Sequence, residues 1–326
     1  MPGGKPVVGF VGIGVMGASM TTNLLGAGYT VVVNDIRAEA AAKQIAAGAQ
    51  WAKTAAEAAA RSDLVFTCLP SLEAIETATI GPDGVLAGLR AGGACFETST
   101  NSLSLLKKLN EAFLEKGCHL LDAPISGGAL GAKRGRMAFW VGGDRTVFER
   151  FRPVLKAMGD KPTYVGGTGA GLVTKLVHNG ASQAMQAALA EVFVLGVKAG
   201  AEPLGLWKAI RQGSIGRRRT FDGLADEFLP AKFDPPHASL DIVEKDLKLA
   251  TELGRELRVP MRIANLALAD ILEAMNRGWG GRDARSVMIL PQERAGVSIK
   301  VDPALVREVF VDDPPAPSDA KHGDGV

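Results

Sequence analysis

Short apolar runs alternate with segments of helical spacing along the first half of the chain. The runs typical of strands are Val7–Val11, Thr30–Asn34, Leu64–Cys68, Ala94–Glu97, His119–Ala123 and Met137–Val141. Segments with helical spacing lie between them and include Met16–Ala27, Ala38–Ala47 and Ser102–Lys116. Strands that alternate with crossover helices pair in parallel, so this half predicts an α/β fold with a doubly wound parallel sheet.

Beyond Gly166 the pattern becomes helical. Leu172–Ala199 has no proline and few polar interruptions, which predicts a long buried helix joining two domains. Further segments follow with helical spacing, and one weak strand pattern: Leu204–Gln212, Leu240–Leu257, Pro260–Arg277, Arg282–Leu290 and Val297–Val301. We therefore predict an α/β domain over residues 1–166, an all-α domain over 167–300 and a disordered tail over 301–326, since proline, glycine and charge dominate 312–326.

The composition and charge of the chain restrict the classes of protein to which it can belong. The chain has 326 residues, 47% of them hydrophobic, which is enough for two domains with substantial cores. Its formal net charge is +2 and the basic residues are spread out, which argues against a nucleic-acid partner. Three cysteines without close pairing indicate reduced thiols. No signal peptide and no run of roughly eighteen apolar residues is visible, so we expect a soluble cytoplasmic protein without a membrane partner.

A glycine motif follows the first strand and opens the first helix. Gly12 permits a tight turn, Gly14 lets the backbone approach a pyrophosphate, and Gly17 lets helix and strand pack closely. Free N–H groups at the helix N-terminus then face the negative charge. The alternative is a glycine turn without a ligand, but the strand–turn–helix context favours a dinucleotide. The predicted cofactor-binding residues of this turn are Gly12, Gly14, Val15, Met16 and Gly17.

Three further positions extend the predicted cofactor site. Asp35 ends the second strand, where a carboxylate hydrogen-bonds ribose hydroxyls. A carboxylate repels a ribose phosphate, which favours NAD over NADP, although Arg37 nearby offsets this in part. Leu69-Pro70 and Ser99-Thr100 follow the next two strands, at the carboxyl ends where such sheets bind ligands. A strand-stopping proline and a helix N-cap are the alternatives there.

A second glycine-rich segment, Asp122-Ala123-Pro124-Ile125-Ser126-Gly127-Gly128, follows a later strand. The Ser126 hydroxyl and the N–H groups of Gly127 and Gly128 are suited to holding a substrate carboxylate. A flexible loop without a ligand is the alternative. The segment therefore predicts an anion-binding site in addition to the nucleotide site.

The long predicted helix carries Lys175 and Asn179 at i, i+4, so both project from one face. A lone lysine is usually solvated, but the neighbours of Lys175 are apolar. Burial disfavours the ammonium form, so this amine can act as an acid or base. Asn179 then orients the lysine or binds the reacting oxygen. We therefore predict these two residues as a catalytic pair for acid–base chemistry.

Four motifs, in this order, resemble those of the β-hydroxyacid dehydrogenases, the 3-hydroxyisobutyrate dehydrogenase-like family. They are GIGVMG, DAPISGGALGA, the GAG…Lys175…Asn179 helix, and Lys245-Asp246-Leu247. The resemblance spans about residues 7–295. It implies a Rossmann domain, a long interdomain helix and a helical domain that forms homodimers or homotetramers. It also implies an NAD(P)-dependent enzyme for 3-hydroxyisobutyrate or tartronate semialdehyde, or a similar small anionic substrate.

The same resemblance assigns roles to individual residues. It implies that Lys175 is the acid or base and that Asn179 contacts the substrate. The residues that it implies for the carboxylate are Ser126, Gly127 and Gly128. The cofactor positions that it implies outside the glycine turn are Leu69, Pro70, Thr100 and Lys245. Lys245 taken alone is equally typical of an exposed residue in a helix.

Several departures from the family pattern keep a second substrate class open. Glu97 replaces a usual aspartate, Leu103 replaces a usual proline, and His178 lies where simple members often carry asparagine. The Lys-x-x-His-Asn-Gly string resembles 6-phosphogluconate dehydrogenase, which implies His178 as a substrate contact and a phosphorylated or dicarboxylic sugar acid as the alternative substrate. The glutamate acid of that enzyme falls at Ser182, which argues against its decarboxylation.

The remaining alternatives concern other activities. The arginine run at 217–219 is typical of a solvated loop, or places one arginine on a second anionic group. Imine reductases share this architecture but usually lack the lysine. A non-catalytic nucleotide-binding module would need neither the Lys–Asn pair nor the carboxylate segment. We predict no metal site.

Overall fold

The computed structural model describes residues 4–198, 200–212, 220–256, 258 and 261–312. The chain forms two compact units, Met1–His178 and Asn179–Val326. The division falls later than the predicted boundary at residue 166. The reason is that the long helix from Ala170 to His178 belongs to the first unit, where the backbone N–H of Leu172 donates to the Asp122 carboxylate.

One nine-stranded sheet organises the first unit. Its strands are β1 (Val8–Val11), β2 (Val31–Asn34), β3 (Gln50–Trp51), β4 (Leu64–Thr67), β5 (Ala94–Glu97), β6 (His119–Asp122), β7 (Ile125–Ser126), β8 (Ala138–Gly142) and β9 (Lys161–Gly166). The spatial order is β3-β2-β1-β4-β5-β6-β8-β7, with β9 paired to β8. Strands β1 to β6 pair in parallel, which confirms the doubly wound sheet. The sheet is mixed at one side, because β8 runs antiparallel to β6 and β7.

Helices connect these strands. They are α1 (Val15–Gly26), α2 (Ala42–Ala46), α3 (Ala55–Ala60), α4 (Leu72–Ile80), α5 (Val85–Gly88), α6 (Leu103–Glu115), α7 (Gly128–Lys133) and α8 (Arg145–Met158). Side-chain caps define several starts: Ser71 accepts from the N–H of Ala74 at α4, and Ser102 accepts from Leu105 at α6. The predicted helix at 38–47 is divided, since Ala38–Ala41 is a 3-10 turn that precedes α2.

An aromatic row fixes the central strands. Phe10, Phe66 and Phe96 occupy paired register positions on β1, β4 and β5, all fully buried. Their ring centroids lie 5.9 and 5.2 Å apart in stacked pairs. Each such pair contributes about 0.5–1.5 kcal/mol beyond the area it buries. The row therefore aligns the carboxyl ends of the three strands from which the cofactor segments emerge.

The second unit is helical, as predicted. Helix α9 (Ala170–Lys198) begins in the first unit and ends in the second, and α10 (Pro203–Gln212), α11 (Leu240–Glu256), α12 (Arg262–Asn276), α13 (Ile289–Ala295) and α14 (Pro303–Asp312) follow. The described part of this unit also contains two 3-10 segments, Thr220–Leu224 and Ala284–Met288. Residues 297–301 form no strand. Helix α9 has 29 residues, yet within the described ranges no helix is long and apolar enough to cross a membrane.

The predicted tail starting at 301 is wrong for its first part. Helix α14 buries Val306 and Val309 in a cluster that also contains Trp207, Ile299 and Val301. The spacing of the two valines places them on one face of the helix. The prediction missed this short apolar pattern because proline-rich and charged residues follow it. Residues 313–326, the rest of the predicted tail, lie outside the described residues.

Candidate active site

The glycine turn between β1 and α1 has the geometry that a pyrophosphate needs. Gly12 has a φ of +95°, and a Cβ there would overlap the carbonyl oxygen of Cys68. A Cβ on Gly17 would overlap the carbonyl oxygen of Gly12, so both positions exclude a side chain. Gly14 is different, because it is exposed and nothing lies within 4 Å of a Cβ there. No side chain caps the start of α1, and Val15 in its first turn is 73% exposed. The first N–H groups of the helix therefore face open space that suits a phosphate.

Asp35 fastens this turn from the next strand. Its Oδ2 accepts a hydrogen bond from the backbone N–H of Ile13 at 2.7 Å, and its Oδ1 accepts one from the backbone N–H of Arg37 at 3.0 Å. The carboxylate is only half-buried, so further lone pairs face solvent beside the turn. Sequence reasoning predicted the ligand-facing position but missed the bond that holds Ile13.

The ends of β4 and β5 are tied together. The backbone N–H of Leu69 donates to Ser99 Oγ at 2.8 Å, and the N–H of Ser99 donates to Glu97 Oε1 at 2.8 Å. Glu97 is 1% exposed, so this departure from the family pattern has a structural role. The Leu69 side chain also lies against the Gly12 position. The structure therefore brings the first three cofactor segments together. The other predicted positions at these ends are exposed Pro70 and half-buried Thr100.

The predicted carboxylate segment is a strand, a turn and a helix. Ser126 ends β7 and pairs with Ala138 on β8, and its side chain is half-buried. Gly127 and Gly128 have φ values of +139° and +62°, which favour glycine at both positions. A Cβ on Gly127 would crowd the Met137 sulfur, whereas Gly128 faces open space. The backbone is thus accessible beside a hydroxyl, and the segment is ordered by strand pairing.

Asp122, at the start of that segment, holds the beginning of α9. Its Oδ1 accepts from the N–H of Gly169 and its Oδ2 from Leu172, both at 2.8 Å. The residue is 1% exposed, and this burial raises the pKa of its carboxyl, while the backbone hydrogen bonds act in the opposite direction. A Cβ on Gly171 would overlap the carbonyl oxygens of Trp140 and Asp122. Asp122 therefore links the carboxylate segment to the helix that carries Lys175.

The N-terminal part of α9 around Lys175 is less buried than predicted. Lys175 is half-buried, between the buried side chains of Leu172 and Leu176 and the exposed Val177. The apolar sequence overstated the burial here because one face of this helix is exposed. His178 is also exposed, and its ring centroid lies 5.0 Å from that of Trp140 on β8. Lys175 and His178 both lie in the first unit, as do the glycine turn and the Ser126 segment.

The last two predicted positions meet in the second unit. Asn179 Nδ2 donates to Asp246 Oδ2 at 2.6 Å, and Lys245 Nζ lies 3.2 Å from Asp246 Oδ1. Asp246 is buried, and its carboxylate contacts both side chains. Sequence reasoning quoted Asp246 as part of a motif but gave it no role. The arginine run at 217–219 lies outside the described residues.

Two family models match the chain, one over each part. The first is described as the NAD binding domain of 6-phosphogluconate dehydrogenase and matches residues 7–166. The second is described as NAD-binding of NADP-dependent 3-hydroxyisobutyrate dehydrogenase and matches residues 169–291. Both descriptions agree with the open glycine turn and with the resemblance drawn from the motifs.

Individual relatives cover nearly the whole chain. The chain is 36% identical over 292 residues to 2-(hydroxymethyl)glutarate dehydrogenase of Eubacterium barkeri, covering 90% of this chain and 97% of that protein. It is 34% identical over 282 residues to NAD-dependent L-serine dehydrogenase of Pseudomonas aeruginosa, with 85% and 94% covered. A solved structure of Mycobacterium tuberculosis 3-hydroxyisobutyrate dehydrogenase with L-serine gives a TM-score of 0.78 at 30% identity, with 88% and 99% covered.

These matches confirm the family, the Rossmann domain and the helical second domain predicted from the motifs. They also confirm a nicotinamide cofactor, for which the glycine turn has the room and the free N–H groups. The chain belongs to the β-hydroxyacid dehydrogenase family and is an NAD(P)-dependent oxidoreductase.

Proposed function

We propose that this enzyme interconverts a small 3-hydroxy acid and its semialdehyde, with Lys175 as the acid or base. The three relatives described above are named for 2-(hydroxymethyl)glutarate, L-serine and 3-hydroxyisobutyrate. All three compounds carry a hydroxymethyl group on the carbon next to a carboxylate. The observation that carries the proposal is Asp122, whose carboxylate ties the Ser126 segment to the start of the Lys175 helix.

Substrate binding rests on the Ser126 segment. The Ser126 hydroxyl and the N–H groups of Gly127 and Gly128 donate to the substrate carboxylate, and hydrogen bonds to a charged acceptor are stronger than neutral ones. The two glycines keep the backbone free of side chains, so the carboxylate can approach closely. This contact fixes the carboxylate end of the acid. Residues of α9 then position its hydroxyl group.

Helix α9 carries the residues proposed for proton transfer. The neutral Lys175 amine accepts the substrate hydroxyl proton, and in the reverse direction its ammonium form donates that proton to the oxygen of the semialdehyde. Asn179 lies one helical turn further along the same face, and its amide is oriented by Asp246. It contacts the reacting oxygen. When bound, the nicotinamide supplies the hydride acceptor or donor.

Nucleotide binding rests on the turn and on the ends of β4 and β5. Gly14 and the first N–H groups of α1 hold the pyrophosphate, and Asp35 accepts from the ribose hydroxyls. We propose NAD as the preferred cofactor, since the bond from Ile13 keeps the Asp35 carboxylate beside the turn. The negative charge of Asp35 would repel a ribose phosphate at that position. The family resemblance implies Lys245, which pairs with Asp246, as a further cofactor position.

Two further proposals concern the setting of the enzyme. The three cysteines form no disulfide with one another, and two of them are buried, which supports a reducing compartment such as the cytoplasm. We also propose a homodimer or homotetramer. Large apolar side chains are exposed on the helical unit, and a second copy of the chain would cover them. They include Met185, Ile242, Ile263 and Leu266.

The decisive variant is Lys175→Ala. The substitution removes the proposed acid or base, so kcat with the best substrate should fall roughly a hundredfold or more. Steady-state kinetics measures this on the best acid from a panel of 3-hydroxyisobutyrate, serine, glycerate, threonate and phosphorylated sugar acids. The Kd for NADH, measured by fluorescence titration, should stay unchanged.

The matched control is Lys107→Ala, which removes an exposed lysine from α6 in the same unit. It should retain normal turnover. Normal turnover in Lys175→Ala would refute the assigned role of the lysine. Binding of NADH without turnover of any acid in the panel by the parent enzyme would instead favour a nucleotide-binding module.

A further inference from the structure

Trp140 is a half-buried aromatic residue that the proposed reaction does not use. It lies on β8 between Phe139 and Val141, both 0% exposed. Because side chains alternate along a strand, Trp140 projects from the face opposite to these core residues. There its ring packs on the ring of His178, with centroids 5.0 Å apart and an interplanar angle of 50°.

The backbone of Trp140 contacts both halves of the proposed site. Its N–H donates to the carbonyl of Pro124 at 3.2 Å, two residues before Ser126. Its carbonyl oxygen lies so close to Gly171 that no side chain fits there, and Gly171 is one helical turn before Lys175. Trp140 is therefore fixed between the strand that presents Ser126 and the first turn of α9.

His178 follows Lys175 at i+3, so both side chains lie on one face of α9. An exposed imidazole on a helix has several accessible rotamers. Packing against the Trp140 ring restricts them and fixes the imidazole on the helix face that also carries Lys175. Imidazole nitrogens donate or accept hydrogen bonds, so the fixed ring presents a polar contact at a defined place.

We propose that Trp140 is a specificity-determining residue, which positions His178 to bind a second oxygen-bearing group of the substrate. This inference rests on the proposed function. The first carboxylate of the acid is held by the Ser126 segment, and the second group, a carboxylate or hydroxyl further along the carbon chain, contacts His178. The preferred substrates are then 3-hydroxy acids with a second polar group rather than those with a plain alkyl group.

Two acids that differ in the second group test this. 2-(Hydroxymethyl)glutarate and 3-hydroxyisobutyrate share the hydroxymethyl and the first carboxylate, and only the former has a second carboxylate. We expect the parent enzyme to have the higher kcat/KM on the dicarboxylate. Trp140→Leu should lower the ratio of the two kcat/KM values roughly tenfold. The change should come through KM for the dicarboxylate, with kcat on 3-hydroxyisobutyrate nearly unchanged.

Further variants separate positioning from general damage. Trp140→Phe keeps a ring against His178 and should retain most of the ratio. His178→Ala should lower the ratio as far as Trp140→Leu does, and the double variant no further, since both act through one contact. Trp51→Leu, which removes a half-buried tryptophan from β3, is the matched control and should leave the ratio unchanged.

A binding measurement is independent of turnover. Calorimetric titration with NADH present should show a weaker Kd for the dicarboxylate in Trp140→Leu and an unchanged Kd for 3-hydroxyisobutyrate. Equal losses on both acids, or additive losses in the double variant, would overturn the role of Trp140. If Trp140→Leu does not fold, the ratio in His178→Ala and in Trp140→Phe decides. A parent enzyme that neither turns over nor binds either acid would overturn the proposed function together with this inference.

Discussion

The glycine turn after β1 and the Ser126 segment after β6 are built on the same plan but differ in how an aspartate is used. Each segment is glycine-rich, follows a parallel strand and depends on an aspartate that accepts backbone N–H groups. Asp35 is half-buried and holds the turn through Ile13 with one oxygen. Asp122 is fully enclosed and holds Gly169 and Leu172 with both oxygens.

The difference in burial explains why the two aspartates have different roles. A buried carboxylate is costly unless its oxygens are hydrogen-bonded, and the N–H groups at the start of α9, with the positive end of the helix dipole, compensate Asp122 in part. Asp35 keeps contact with solvent, so it can exchange water for a ligand hydroxyl at little cost. The same residue type therefore serves the ligand in the first segment and the fold in the second. Substitutions of the two aspartates should separate binding from stability.

The largest effect is expected for Asp122→Ala. The substitution leaves the buried N–H groups of Gly169 and Leu172 without acceptors, and each unsatisfied donor costs about 1–3 kcal/mol. The free energy of unfolding should therefore fall by about 2–6 kcal/mol. Urea denaturation followed by circular dichroism measures this loss.

Asp35→Ala is the comparison for that variant. Its hydrogen bond to Ile13 is half-exposed, so the loss should be about 0.5–1.5 kcal/mol, while the Kd for NADH increases. If the two alanine variants lose equal stability, or if Asp35→Ala binds NADH normally, the proposed division of roles is wrong.

An intermediate effect is expected within the glycine turn. Gly17→Ala places a methyl against the Gly12 carbonyl and the Phe10 ring, and such overpacking costs about 1–3 kcal/mol of stability. Gly14→Ala adds its methyl to open space, so stability should change by less than about 0.5 kcal/mol. The same methyl lies where the pyrophosphate approaches, so the Kd for NADH should rise roughly tenfold. Thermal unfolding and NADH titration of the two variants check this, and a stability loss in Gly14→Ala would argue against an open turn.

Much of the first segment could be predicted because its determinants are local. The β1 strand, the three glycines and the start of α1 follow one another directly, and their spacing is visible in the sequence. The bonds of Asp122 join residues 47 and 50 positions apart, and the Asn179–Asp246 bond spans 67. No local pattern indicates such partners. The two-residue strands β3 and β7 are likewise too short to show a period.

The overestimated burial of Lys175 has a related cause. Hydrophobicity along α9 is high on all faces, and this pattern predicts a helix enclosed on most sides. In the structure Val177 and Met185 are exposed, so the pattern does not tell which apolar side chains find partners within the chain. The chemistry proposed for Lys175 therefore depends on the link that Asp122 makes between the Ser126 segment and the start of α9 rather than on deep burial.

The smallest effect is expected from the titration of Asp122. Burial raises the pKa of its carboxyl above the ordinary value of 3.8, so the folded chain holds this proton more tightly than the unfolded chain. The stability that this contributes is fully present below the ordinary pKa and is lost as the pH rises through the folded pKa. Asp122→Asn cannot titrate. The unfolding free energy of the parent minus that of the variant should therefore decrease with rising pH across this window and become constant above it. Urea denaturation of both proteins from about pH 3.5 to about pH 7 measures the difference. An increase with pH would mean that the hydrogen bonds from Gly169 and Leu172 outweigh the desolvation of the carboxylate.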